Sequence, residues 1–299
     1  MSLFAVSALL ALLAAAPARA RELTYELGPV RVRGLVHSME GPSASLPVAS
    51  DRTEWIRRIR IEVRDEKDGG RPAPRFLCHA NLIFADGTEP GSSRARRRAF
   101  AVLAPGGDDI RFPRGYGLPM KAGRRFVAHF MALSHDARAD ADLRARIVLD
   151  TQEKPLKPLV LVVRSVFAAD AGLPRAEPSF RRMPDTGDKT WMIPPGRRTL
   201  SHAFRFPFSG RIHYISGHLH RYGLWLALVE KRSGRVLWRS ETVRTPDGYF
   251  SSLPPYSGER GLRVEADRAY VLEAGYDNAS SSAAAAMAQI YMYASRGER

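Results

Sequence analysis

Residues 217–223 read GHLHRYG, in a chain that carries 8 histidines among 299 residues. Alternate residues of a β-strand point to the same face, so His218 and His220 would present their imidazoles side by side, with Leu219 turned away. Such a pair can hold a metal ion, or can be two ordinary surface or hydrogen-bonded histidines. Gly217 and Gly223 flank it and would permit close backbone approach or a bulge. A third donor is available in Met287, ahead of the AQIYMY stretch, although a methionine there also fits a core-filling role. Two imidazoles and a thioether form a set that favours copper, Cu(I) above all, over zinc. The sequence has no His-Glu-x-x-His zinc motif, no Gly-rich phosphate loop and no Gly-x-Ser-x-Gly nucleophile elbow. His37, His202 and His213 read as surface or core histidines, and on a regular strand His213 would face away from the pair.

These residues need a rigid frame, and the surrounding pattern is one of short strands. LTYELGPVRVRGLV, EWIRRIRIEVRD, RFLCHANLIFADG, RFVAHFMALSHD, LRARIVLD and LVLVVRSVF alternate apolar and polar residues between Gly, Pro and Asp breaks, as half-buried strands do. DARADADLRAR is compatible with one helical turn or a loop. The alanines of SSSAAAAMAQIYMYA favour helix in isolation, whereas the aromatic alternation of QIYMY favours strand. The Pro- and Gly-rich stretch AGLPRAEPSFRRMPDTGDK reads as a linker or long loop. The expected architecture is all-β, with two tandem antiparallel jelly-roll sandwiches at 21–172 and 173–299.

The opening MSLFAVSALLALLAAAPARA has the apolar run and the small-x-small ending (Ala18, Arg19, Ala20) of a cleaved signal peptide. Residues 1–20 are therefore excluded from the fold, and a periplasmic or secreted location is expected. No later apolar stretch is long enough to span a membrane as a helix. Cys78 is the only cysteine, so the chain has no internal disulfide, and this thiol should be buried or ligated. The formal net charge of +15 reads mainly as a solvated surface. In an exported protein it points to anionic envelope surfaces as partners rather than nucleic acid.

The order IPPG, HLHRYG, EAGYDN and then Met287 with AQIYMY resembles the catalytic second domain of the copper type II, ascorbate-dependent monooxygenases, the family of peptidylglycine alpha-hydroxylating monooxygenase and dopamine beta-monooxygenase. FPRGYGLPMKAGRRFVAHF and LRARIVLDTQEKPLKPLVLVVRSVF are similar to segments of that family's first domain, and the resemblance covers roughly residues 55–293. It implies two jelly rolls with two coppers facing each other across a solvent-filled cleft. His218, His220 and Met287 would hold the oxygen-activating copper, and a first-domain copper would supply an electron originating in ascorbate or another reductant.

At the family's adjacent histidine pair this chain has Cys78 and His79. The position of the third histidine falls nearest Met131, with His129 and His135 as neighbours. Either the electron-delivery site is lost and Cys78 is a buried small hydrophobe, or Cys78, His79 and Met131 form a softer Cu(I) site. The peptide-gripping Arg, Asn and Tyr of the family correspond to Ser216, Gln289 and Tyr291. Loss of the Arg argues against peptide C-termini, and Gln289 and Tyr291 remain candidate contacts for a small organic substrate. Two functions follow as expectations: hydroxylation with dioxygen, or non-catalytic copper handling in the envelope on the same fold.

Overall fold

The structure is a computed structural model, and it describes residues 20–33, 37–38, 43–47, 51–84, 99–133, 140–174, 189–244 and 250–297. The leader, the RARRR run, His135 and most of the expected linker lie outside these residues.

Strands form where the apolar residues alternate. In Asp140–Gln152, Leu143, Ala145, Ile147 and Leu149 are buried while Asp142, Arg144, Arg146 and Asp150 between and beside them are partly exposed. In Glu54–Asp65 the buried positions Ile56 and Ile59 are three apart, because a register shift against the neighbouring strand inserts one extra residue between them. Such a bulge resets the face on which the later side chains lie.

The first eight principal strands are β1 (Ala20–Arg33), β2 (Ser43–Pro47), β3 (Glu54–Asp65), β4 (Leu77–Phe84), β5 (Ala99–Leu103), β6 (Tyr116–Met120), β7 (Arg125–Leu133) and β8 (Asp140–Gln152). They pair in the orders β1-β8-β3-β6 and β2-β7-β4-β5. The second eight are β9 (Val160–Ser165), β10 (Gly196–Arg205), β11 (Gly210–Leu219), β12 (Gly223–Glu230), β13 (Val236–Glu241), β14 (Tyr256–Val264), β15 (Ala269–Asn278) and β16 (Ala288–Arg296). Their orders are β9-β16-β11-β14 and β10-β15-β12-β13. Both halves thus place strands one, eight, three and six in one sheet and two, seven, four and five in the other. This is the double Greek-key path of a jelly roll, run twice.

Three details depart from the expectations. The changeover between jelly rolls falls between Pro158 and Val160, not at 172, because β9 pairs with β16. The segment from Asp140 is strand from its first described residue, not helix. Ala284–Ala286 is also extended, paired with Trp191–Ile193. That pairing, which covers the fully buried Trp191 and Ala286, overrides the helix preference of an alanine run. The α-helix of the described residues is one turn, Ala168–Ala171, and no helix among them is long and apolar enough to cross a membrane.

The two sandwiches share a buried seam. Tyr214 on β11 and Tyr293 on β16 belong to the same buried cluster as the core of the first jelly roll, and Tyr291 packs with Val102 and Ala104. The sheet β9-β16-β11-β14 therefore buries one face in its own core and the other against the first domain. This explains the unbroken buried run from Ala288 to Ala294, which reads as a two-sided core strand rather than an alternating one.

Candidate metal centre

His218 and His220 lie at the end of β11 on the seam-facing side. Both are buried, with rings 5.1 Å apart at 86°. The pairing of β11 with β16 sets His218 opposite Gln289 and Ser216 opposite Tyr291. It continues beyond the strand end through the His220 amide, which donates to the Met287 carbonyl at 3.2 Å. The same carbonyl accepts from Tyr276 Oη at 2.5 Å. Met287 is buried, and its backbone is fixed by two donors.

The expected second set comes to the same place. Cys78 and His79 are on β4, and His79 faces Met131 across the β4-β7 pair. On a regular strand Cys78 and His79 would point to opposite faces. The register, however, passes from Met131 opposite His79 directly to Ala132 opposite Leu77, so Cys78 is the extra residue of a bulge. A bulge re-aims its side chain, and Cys78 Sγ lies 3.2 Å from His79 Nδ1. From across the seam, the His218 ring approaches that of His79 to 5.4 Å between centroids.

Ligating atoms of Cys78, His79 and His218 all fall within 4.8 Å of one another, and all three residues are buried. Tetrahedral bonds of about 2.3 Å to sulfur and 2.0 Å to nitrogen place S and N ligands about 3.5 Å apart, close to the Cys78 to His79 separation. One thiol and two imidazoles from two domains thus fit one soft ion. His220, with its ring 5.1 Å from that of His218, is the next imidazole to the set.

Burial pushes the Cys78 thiol up to about 12, since the interior disfavours a bare thiolate. Tyr291 is likewise raised, by burial first and then by Cys78 and Tyr293. Its hydroxyl donates to Gln289 Oε1 at 2.6 Å, and Gln289 Nε2 donates to Ser165 Oγ at 3.1 Å. The two candidate substrate contacts are therefore buried and hydrogen-bonded to each other, in a relay that braces the strand opposite His218. Ser216, also buried, abuts Gly107 of the first domain: a Cβ on Gly107 would lie 2.8 Å from the Ser216 Cβ.

Among the described residues, His202 and His213 have other partners. His202 Nδ1 meets Asp170 Oδ2 at 2.7 Å. His213 is fully buried and is itself a bulge residue, skipped between Ile212 and Tyr214. It stacks on Tyr116 of the first domain at 3.8 Å, so it faces the seam. His129 lies opposite Asn81.

No family model matches the chain, and no curated protein matches it. Among solved structures, PBCV-1 VP54, fitted into a reconstruction of the virophage Sputnik, is similar at 10% identity, covering 94% of this chain and 95% of that one with a TM-score of 0.33. A putative secreted protein from Parabacteroides distasonis is similar at 10% identity, covering 95% and 91% with a TM-score of 0.25. A chain of the Sulfolobus Turreted Icosahedral Virus is similar at 9% identity, covering 92% and 61% with a TM-score of 0.22. Likenesses at this level bear on neither assembly nor activity.

Proposed function

We propose that the chain is an exported copper-binding protein that holds one Cu(I) at the seam between two jelly rolls, through Cys78, His79 and His218. The observation that carries this reading is the convergence of those three ligating atoms within 4.8 Å at a buried position. A thiolate and two imidazoles suit Cu(I), and thioethers such as Met131 and Met287 are soft donors of the same preference. When bound, the ion would supply the positive charge that lets Cys78 give up its proton in the interior. The chain's part is to hold the donors on braced strands and keep water out.

The resemblance to copper monooxygenases implies two coppers separated by a solvent-filled cleft. Here the first-domain His79 and the second-domain His218 are 5.4 Å apart, which leaves no cleft between them. An oxygen-activating copper also needs an open position and a route for substrate, and Gln289 and Tyr291 are turned to each other instead. Copper handling outside the cytoplasm is therefore favoured over hydroxylation of a small organic substrate.

The test is copper per chain after anaerobic loading with Cu(I), on wild type, Cys78→Ser and His218→Ala, with circular dichroism as the folding control. One copper in wild type and none retained by either folded variant is the expected result. Two coppers per chain would restore the two-site reading. No copper in wild type would overturn the proposal.

A further inference from the structure

We infer that the seam centre is a one-electron relay: a site that cycles between Cu(II) and Cu(I) with Cys78, His79 and His218 as its ligands in both states. This rests on the copper reading above and goes beyond it, since copper handling requires no change of oxidation state.

One thiolate and two imidazoles around copper, with a weak thioether near the axis, is the donor set of electron-transfer centres, whose potential is tuned by that axial donor and by the shell around the sulfur. The seam provides each part. Cys78, His79 and His218 are the convergent donors. Met131 stands directly opposite His79 on the neighbouring strand, where cross-strand Cβ atoms lie about 4.5–5.5 Å apart. Met287 follows the β11 pairing next to His220. Each domain thus carries a buried methionine whose backbone is paired with a ligand or with its neighbour in the strand register.

The scaffold also suits two oxidation states without rearrangement. The ligands sit on paired strands of two sheets, not on loops, and a site built on such elements holds its geometry more closely. His218 is opposite Gln289, which Ser165 and Tyr291 both hold. Cys78 is aimed by a bulge in a pair that is otherwise regular. Its exposure is 1%, against 2% for His218 and 8% for His79, so the sulfur is shielded and His79 is the ligand nearest solvent. An electron would enter and leave through that imidazole.

The balance is simple. An outer-sphere one-electron donor, such as a ferrous haem protein, passes an electron to Cu(II) and becomes its ferric form, giving Cu(I). A ferric acceptor of higher potential then takes the electron back. Cys78 remains a thiolate throughout, its proton having left to solvent when the metal bound. No bond to carbon or oxygen forms or breaks.

The experiment is a titration of the full chain with Cu(II), followed by visible absorption and electron paramagnetic resonance, then reduction with ascorbate and reoxidation with ferricyanide over several cycles. Wild type should take up one Cu(II) per chain and show an intense visible band from the thiolate. Ascorbate should bleach the band and ferricyanide restore it, with the thiol content unchanged at the end. His218→Ala should lose the band and His220→Ala should keep it; the reverse would overturn the ligand assignment. Copper bound without the band, or a band that bleaches irreversibly as the thiol is oxidised, would overturn the relay and leave the copper reading standing. Failure to bind copper in either oxidation state would overturn both.

Discussion

The seam should be acid-sensitive at one identifiable residue, His213. Its Nδ1 lies 3.1 Å from the Gly258 carbonyl and its Nε2 3.0 Å from Ser295 Oγ. Nδ1 must therefore donate, and Nε2 of the neutral ring accepts the Ser295 hydroxyl. Burial, with Arg211 and Lys157 adding to it, pushes the imidazole pKa below its ordinary value, against the pull of the Gly258 and Glu259 backbone. The folded state thus binds this proton less readily than the unfolded state. Stability from His213 is complete above the unfolded value of about 6.5, falls as pH drops through it, and stops falling below the depressed folded value. The slope from one such group is at most about 1.4 kcal/mol per pH unit. His213→Asn keeps a donor for Gly258 and removes the titration, so its unfolding free energy should vary less with pH than that of wild type. His213→Ala loses the stack on Tyr116, worth about 0.5–1.5 kcal/mol, and the hydrogen bonds to the part-buried Gly258 carbonyl and Ser295 hydroxyl, worth about 0.5–1.5 kcal/mol each. The combined loss should be about 1–3 kcal/mol at neutral pH. Urea unfolding of the three proteins between about pH 7.5 and pH 5 checks this, and identical pH slopes for wild type and His213→Asn would refute the reasoning.

Gly107→Val should destabilise by about 1–3 kcal/mol, the usual effect of overpacking, because a Cβ there meets Ser216 across the seam at 2.8 Å; chemical denaturation reads it directly. Asn278→Ala should lower stability by about 2–4 kcal/mol, since buried Asn278 donates to the Ile193 and Ser282 carbonyls and accepts from Ser280. A loss under about 0.5 kcal/mol, the range of surface substitutions, would show that water replaces those bonds readily.

The all-β class was legible because alternation survives where one strand face meets a core, as in Leu143, Ala145, Ile147 and Leu149. The domain boundary was not. A strand that merely changes sheets needs no Gly-rich turn, so Lys157–Val160 gives no signal, while the Pro-rich stretch after Ala171 reads as a linker. His218 and His220 are visible at period two. The partnership of Cys78 with His79 enters only through the family resemblance, because a bulge belongs to two strands at once and alternation from Leu77 assigns these neighbours to opposite faces. Nor can any local pattern bring β4 to β11: that contact depends on how the two sandwiches pack. Gln289 and Tyr291 read in the sequence as candidate substrate contacts; the Gln289 bond to Ser165 follows from the pairing of β16 with β9, which no pattern within β16 announces.

On the proposed copper reading, donors placed on both sides of the seam would make metal occupancy and domain packing one equilibrium. Cys78 and His79 are carried by β4 and His218 by β11, and the apolar contacts of Tyr214, Tyr291 and Tyr293 join those domains without metal. A ligand that binds only the docked arrangement stabilises it by about 2.7 kcal/mol when present at a hundredfold excess over its dissociation constant. Hydrogen exchange should then slow in Leu77–Phe84 and Gly210–Leu219 together on Cu(I) loading, since opening either strand must release the same ion. A copper held by His218, His220 and Met287 alone would protect β11 and β16 and leave β4 unchanged. Slowing confined to the C-terminal strands would therefore separate the two sets of donors again, even if the copper count remained one per chain.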